Sequence, residues 1–203
     1  MTDAALKISR SQKRAAETRR RLYEVALRLF LEKGFENTTV SEITDEVDVA
    51  KGTFFTHFPT KESVMGELGS IVLEHMEAAA RKLQGQRTTI EAQVFGLFDA
   101  AGRWHEANRE MSRLAVRLLT VSPGGMEADR QNQLRCFSLL LGLVKRGQQA
   151  GEFSTAVSPE IATQTLGGVY FSAVLSWHFS PVPLPLRTML AEGIGLVTKG
   201  LRP

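Results

Sequence analysis

The chain has 203 residues, enough for one large domain or a small domain joined to a larger one, and 25 Lys and Arg against 22 Asp and Glu leave it nearly balanced at +3. Its single cysteine, Cys136, excludes an internal disulfide and a cysteine-based zinc cluster, so a reducing compartment fits. No stretch reaches the roughly 18 uninterrupted apolar residues of a membrane span, and the N-terminus has charges where a signal peptide places its apolar region. A cytoplasmic protein with no membrane partner is expected.

Charge is unevenly spread along this balanced chain. Lys7, Arg10, Lys13, Arg14, Arg19, Arg20 and Arg21 stand against Glu17 alone, a local excess able to neutralise phosphates. Residues 1–12 read equally well as a flexible basic arm in solvent. Leu22, Val25, Ala26, Leu29 and Phe30 then recur at helical spacing and predict one amphipathic helix over 13–33. Gly34 ends it, because glycine takes the left-handed cap position at little cost, and Phe35 can fold back onto the last turn.

Thr39 and Glu42 have the spacing at which a hydroxyl and a carboxylate satisfy each other's backbone N–H groups at a helix start. Val40, Ile43 and Val47 give the helix that follows a narrow apolar face, and Asp48 breaks it. A second short helix over 51–58 turns Phe54 and Phe58 inward and leaves Lys51, Thr53, Thr56 and His57 outward. Pro59 stops it by disfavouring helical geometry in the residue before it. Two short helices, a tight turn and an outward row of small polar and cationic side chains match the helix-turn-helix, whose second helix lies in the DNA major groove.

A long helix over 61–84 carries Val64, Leu68, Val72 and Met76 every four residues. Gly85 and the polar residues after it mark its end, and Thr88 or Thr89 caps a helix over 90–107. Asn108 interrupts the pattern before a shorter apolar segment to residue 121. Ser122, Pro123, Gly124 and Gly125 form the clearest loop, followed by a helix over 127–149. Ser158, Pro159 and Glu160 give a cap, a first-position proline and a first-turn acid. The helix they open is apolar on several sides and needs more than one neighbour. Pro181, Pro183 and Pro185 stop it, and a last helix covers 186–199. With no β-strand pattern or internal repeat, the reading is all-α, with about nine helices.

The residues VAKGTFFTHFPTKE, set behind an amphipathic helix and the K-G-F and T-T-V spacings, resemble the N-terminal domain of the TetR family of bacterial transcriptional regulators nearly position for position. The resemblance implies a three-helix DNA-binding domain over 13–60 and a larger helical effector-binding and dimerisation domain over 61–203. It implies that Lys51, Gly52, Thr53 and Thr56 meet base edges or flanking phosphates, and that Thr39, Phe55, His57 and Lys61 grip phosphates. Lys51 can donate to guanine O6 or N7, Thr53 can touch a thymine methyl, and Gly52 lets the backbone come close. Three positions depart from the family pattern: Phe55 replaces a tyrosine, Ala50 a serine cap, and Asp48 a turn glycine.

His75, His105 and His178 stand too far apart for a helix-borne metal site, and Cys136 has no motif around it that supports a nucleophile. No metal or cofactor is expected. No nucleophile–base pair, phosphate loop or paired-carboxylate motif supports an enzyme. The resemblance implies an effector cavity in the larger domain; Phe95, Phe98, Trp104, Met111, Phe137 and Leu141, core residues first of all, are its expected lining, with His75 and His105 as polar tips. One short recognition helix covers few base pairs, so two copies held about one groove repeat (~34 Å) or a multiple apart would read a palindrome. Phe171, Leu175, Ile194 and Val197 on the last two helices are the expected homodimer interface. The function implied is a repressor released from a palindromic operator in double-stranded DNA when a small, largely apolar ligand displaces the long helix. The alternative is a DNA-binding module that is ligand-independent or controlled by a protein partner.

Overall fold

The computed structural model describes residues 10–84, 86–121, 129–180 and 184–203, which form nine helices and no strand. Lys7, Gly85, the loop over 122–125, the helix start expected at residue 127, and Pro181 and Pro183 lie outside the described residues. The chain divides into two compact units, Met1–Val64 and Met65–Pro203. Among the described residues no helix is long and apolar enough to cross a membrane.

In the first unit, α1 (Arg10–Lys33) begins three residues earlier than its apolar spacing predicts. The extension, Arg10, Ser11 and Gln12, is polar and exposed, which is why apolar spacing does not show it; further along the exposed side Arg20 pairs with Glu17 and Glu24, each at 2.6 Å. The apolar stripe of α1 buries Leu22, Ala26, Leu29 and Phe30. Gly34 adopts the left-handed φ of +88° that a helix stop requires, and the Phe35 ring packs 4.9 Å from that of Phe30.

Helix α2 (Val40–Val47) starts on the expected capping box, with Thr39 Oγ accepting from the Glu42 amide at 3.2 Å and Glu42 accepting from the Thr39 amide at 2.7 Å. Asp48 ends it in the left-handed region at φ 59°, doing what the family's glycine does more cheaply. Helix α3 (Lys51–His57) follows after three residues and drives Phe54 fully into the unit, with Phe58 just beyond it also buried. These two rings, with Leu22, Ala26, Phe30, Ile43 and Val47, are the core that fixes α3 against α1 and α2; burying each ring contributes roughly 1.5–3 kcal/mol.

Helix α4 (Ser63–Gln84) spans the border between the units. Its start lies two residues later than expected, at a reciprocal cap in which Thr60 and Ser63 each bond the other's amide at 3.2 Å. In the second unit, α5 (Ile90–Ala107) is the central helix, packed by α7 (Arg130–Gln149) and α9 (Leu186–Gly200). The α8 helix (Pro159–Phe179) closes the bundle against α7 and α9, and α6 (Arg109–Val121) lies on α5 and α8. Val94, Leu97, Phe98 and Ala101 on α5 are buried, facing a core completed by Leu140 and Val144 on α7, Leu166 on α8 and Leu190 and Ile194 on α9. Thr89 caps α5 and Ser158 caps α8 as their sequences indicate.

A polar fastening joins α4 to α7. The Asn132 amide donates to the Gly66 carbonyl at 2.7 Å and accepts from Ser70 Oγ at 2.9 Å. Gly69 faces this contact, and a Cβ there would stand 2.9 Å from Asn132 Nδ2, so the close approach depends on glycine.

Candidate functional site

The outward face of α3 carries the predicted row. Lys51, Gly52 and Thr56 are exposed, Thr53 and His57 are half-buried, and a Cβ built on Gly52 meets nothing within 4 Å. Thr56 Oγ is turned back onto the Gly52 carbonyl at 3.0 Å. Phe55 is 46% exposed, with its edge against the buried Phe54 ring at 5.5 Å. An exposed phenyl beside threonines and a lysine presents apolar and cationic surface together, which suits thymine methyls and phosphate oxygens.

The residues around this face are braced from within the unit. Thr39 Oγ also donates to Glu42 at 2.9 Å, and Lys33 meets the same carboxyl at 2.7 Å. Lys33 and the two Thr39 contacts hold the Glu42 carboxyl down at about 2. Lys61 Nζ donates to the carbonyls of Phe35 at 2.7 Å and Thr38 at 3.0 Å and lies 4.1 Å from the Phe35 ring centre, so two of its three N–H groups serve the fold. Arg19 lies over the Phe58 ring and donates to the His57 carbonyl, and Arg21 donates to that of Val47 at 3.1 Å. Part of the basic run is therefore structural bracing, while Arg10, Lys13 and Arg14 stand exposed on α1.

The second unit holds a buried polar chain that the sequence does not announce. His105 Nε2 is 2.8 Å from the Tyr170 hydroxyl, His105 Nδ1 is 2.7 Å from Ser112 Oγ, and Ser112 Oγ is 2.7 Å from His178 Nε2. The fold thus brings His105 and His178 to one hydroxyl, a meeting that their distance in sequence does not show. Among the described residues neither ring is oriented by a carboxylate, no three His, Cys, Asp or Glu groups gather to hold a metal, and Ser112 is wholly buried.

Burial holds His105 down at about 4; burial, followed by the charges of Arg109 and Arg113, does the same for His178. The chain is thus neutral at pH 7. Four neutral groups with one proton each make three bonds, so one proton is left over, on the Tyr170 hydroxyl or on His178 Nδ1 according to the direction of the chain. His178 Nδ1 is buried with no hydrogen-bond partner among the described residues.

A cleft of about 580 Å³ runs between α4 and α5, lined by His75, Ala78, Ala79, Lys82, Ala100, Arg103, Trp104, Ala107 and Asn108. It brings together His75 and Trp104 from the expected ligand set. The others are dispersed: Phe98 is buried with its ring 5.7 Å from Tyr170, Phe95 is half-buried facing Gly195 of α9, Met111 and Leu141 are half-buried, and Phe137 is 36% exposed. Cys136 is half-buried, and burial pushes its thiol up to about 11, which keeps it protonated and unreactive.

Of the residues expected at a dimer contact, Phe171 is exposed and Val197 half-buried, but Ile194 is fully buried in its own protomer and Leu175 packs on the core around Trp177. The correction has a simple cause: α8 and α9 are apolar on more than one side, and spacing alone does not say which side meets the protomer's own core. The exposed apolar side chains of these helices are Ile161, Phe171, Phe179 and Leu196.

Comparison with known proteins agrees with this architecture. The sequence profile described as "Bacterial regulatory proteins, tetR family" matches residues 22–68, the whole helix-turn-helix and its flanks. The chain is 25% identical over 187 residues to the transcriptional repressor KstR2 of Rhodococcus jostii, covering 90% of each chain. It is 34% identical over 119 residues to the transcriptional regulator TcmR of Streptomyces glaucescens, covering 56% of this chain and 52% of that one. Among solved structures it resembles FadR of Thermus thermophilus, a TetR-family transcriptional repressor in complex with lauroyl-CoA, with a TM-score of 0.76 and 26% identity over 90% of this chain and 94% of that one. With the α3 motif, the all-helical second unit and these relatives in agreement, the chain belongs to the TetR family of bacterial transcriptional regulators.

Proposed function

We propose that this DNA-binding regulator acts in the cytoplasm as a repressor, bound as a two-fold dimer to a palindromic operator and released when an acyl thioester of coenzyme A occupies its second unit. The observation that carries the ligand class is the likeness, over nearly the whole length of both chains, to the lauroyl-CoA-bound repressor. An interior of Phe98, Trp104 and Tyr170 with a neutral polar chain beside it suits an apolar tail with a hydrogen-bonding thioester.

Lys51, Gly52, Thr53 and Thr56 are assigned to base edges and near phosphates, with Thr39, Phe55, His57 and the remaining Lys61 N–H at flanking phosphates. The dimer contact is assigned to the outer faces of α8 and α9, through Phe171, Val197, Ile161 and Leu196. There a shallow depression of about 490 Å³ is lined by Gly168, Ser172, Ala173 and Ser176, small residues that let a partner helix approach closely. Ligand binding releases DNA only if the ligand favours the state whose two α3 helices no longer match the groove spacing.

The test is footprinting on DNA upstream of the protein's own coding region, over a salt series, with and without lauroyl-CoA. The expected result is a palindromic footprint lost on adding the thioester. In the same assay Thr53→Ala should change preference at one base position, whereas Lys61→Ala should weaken binding at all sequences and flatten the salt slope. Equal affinity for random duplexes, or a footprint indifferent to lauroyl-CoA, overturns the respective half of the proposal.

A further inference from the structure

The α4–α5 cleft has a chemistry of its own, and with the ligand class proposed above as its premise we infer that it seats the phosphate-bearing head of the effector. Lys82 and Arg103 supply the counter-charge, and Trp104 and the facing alanines take the first methylenes of the tail.

The walls are the first reason. Ala78 and Ala79 on α4 and Ala107 on α5 contribute only methyl groups, and Trp104, 9% exposed, contributes indole surface. A gap walled by such short side chains has an apolar floor and stays open without a large residue to fill it. Its volume of about 580 Å³ falls in the range of small-molecule sites.

The rim is the second reason. Lys82 is exposed, and among the described residues it makes no ion pair. Arg103 pairs with Asp99, but that one carboxylate is also bonded by Arg187 Nε at 2.6 Å, so two guanidinium groups share a single counter-ion. Glu106, the other acid on this stretch of α5, accepts from the Arg187 amide at 3.1 Å. The cations around the cleft thus exceed the acids, and a guanidinium only half neutralised by its partner retains N–H groups for a phosphate. An apolar floor below a cationic rim selects a molecule that is anionic at one end and apolar at the other, and disfavours one charged throughout.

The experiment is calorimetric titration of the full-length protein with lauroyl-CoA, with free coenzyme A, with sodium laurate and with the uncharged N-acetylcysteamine thioester of lauric acid. The proteins are wild type, Lys82→Glu, Arg103→Glu, the double variant, and Lys145→Glu as a charge reversal elsewhere. All the exchanged side chains are exposed, and thermal melting checks that each variant folds. Each cleft reversal should weaken lauroyl-CoA about tenfold, and the double variant by more, by replacing an attraction with a repulsion at a solvated site. The uncharged thioester should bind all five proteins alike, and the salt dependence of lauroyl-CoA binding should flatten in the double variant. Laurate, with its charge at the carboxyl rather than on a phosphate, should lose less than lauroyl-CoA.

Unchanged lauroyl-CoA affinity in the double variant overturns the cleft as the head's seat while leaving the ligand class standing. Equal losses for the charged and uncharged thioesters overturn the counter-charge role. Wild type that binds neither thioester overturns the ligand class, and this inference with it.

Discussion

Acidification should loosen the second unit through His105, and by a predictable amount. Burial lowers this imidazole from 6.5 in the unfolded chain to about 4 in the fold, so between these values the unfolded state holds a proton that the folded state refuses. The sign follows: stability is complete above about pH 6.5, falls as pH drops towards 4, and changes no further below that through this group. Integrating the two titrations gives a loss of about 2 kcal/mol between pH 7 and pH 5. His178 adds to it with the same sign, but its half-exposed ring contributes a smaller share. The assay is urea unfolding at both pH values, at one fixed protein concentration because any self-association would couple to stability. Wild type is compared with His105→Gln. The variant should be less stable at pH 7, having broken the chain through Ser112 and Tyr170, yet lose about 2 kcal/mol less on acidification. Equal acid losses in the two proteins would refute the reasoning, since the carboxylates that also titrate in this range are common to both.

Three further substitutions separate fold from function. Gly52→Ala places a methyl in open space, so the fold should hold or gain up to about 1 kcal/mol from helix propensity while operator affinity in a gel-shift assay falls. Phe54→Ala removes a fully buried ring from the first unit and should cost about 3–5 kcal/mol, abolishing DNA binding while calorimetry still detects ligand binding to the second unit. Gly147→Ala forces a Cβ into the buried Phe153 ring, about 2.7 Å from its Cε2, and should destabilise by about 1–3 kcal/mol, read as a lower melting temperature.

The first unit was legible because its determinants are local. The Thr39–Glu42 box, the Gly34 stop and the inward Phe54 and Phe58 each lie within a few residues of what they control, and each appears where the spacing put it. Even there, local reading missed what arrives from afar: Lys61 reaches carbonyls more than 20 residues away, and Arg19 reaches α3 from α1. In the second unit the helices were legible but their inward faces were not. The Tyr170–His105–Ser112–His178 chain joins residues up to 66 positions apart, and no spacing rule brings these together. Ile194 shows the same limit from the apolar side, because a helix with two hydrophobic faces does not say which is the protomer's own.

The Asn132 contact gives α4 a fulcrum. Residues 66–70, where it grips, lie near one end of the 22-residue helix, with about 20 Å of rod running on to Lys82 and only about 8 Å back to Ser63. Further along the helix Glu77 meets Arg135 at 2.8 Å, a partly exposed ion pair of small strength. A tilt of α4 about this contact would move its Lys82 end further than the short arm before residue 66, and in the opposite direction. Leverage of this kind trades travel for force, so a ligand that shifts the Lys82 end of α4 appreciably would move the short arm before the contact little and stiffly.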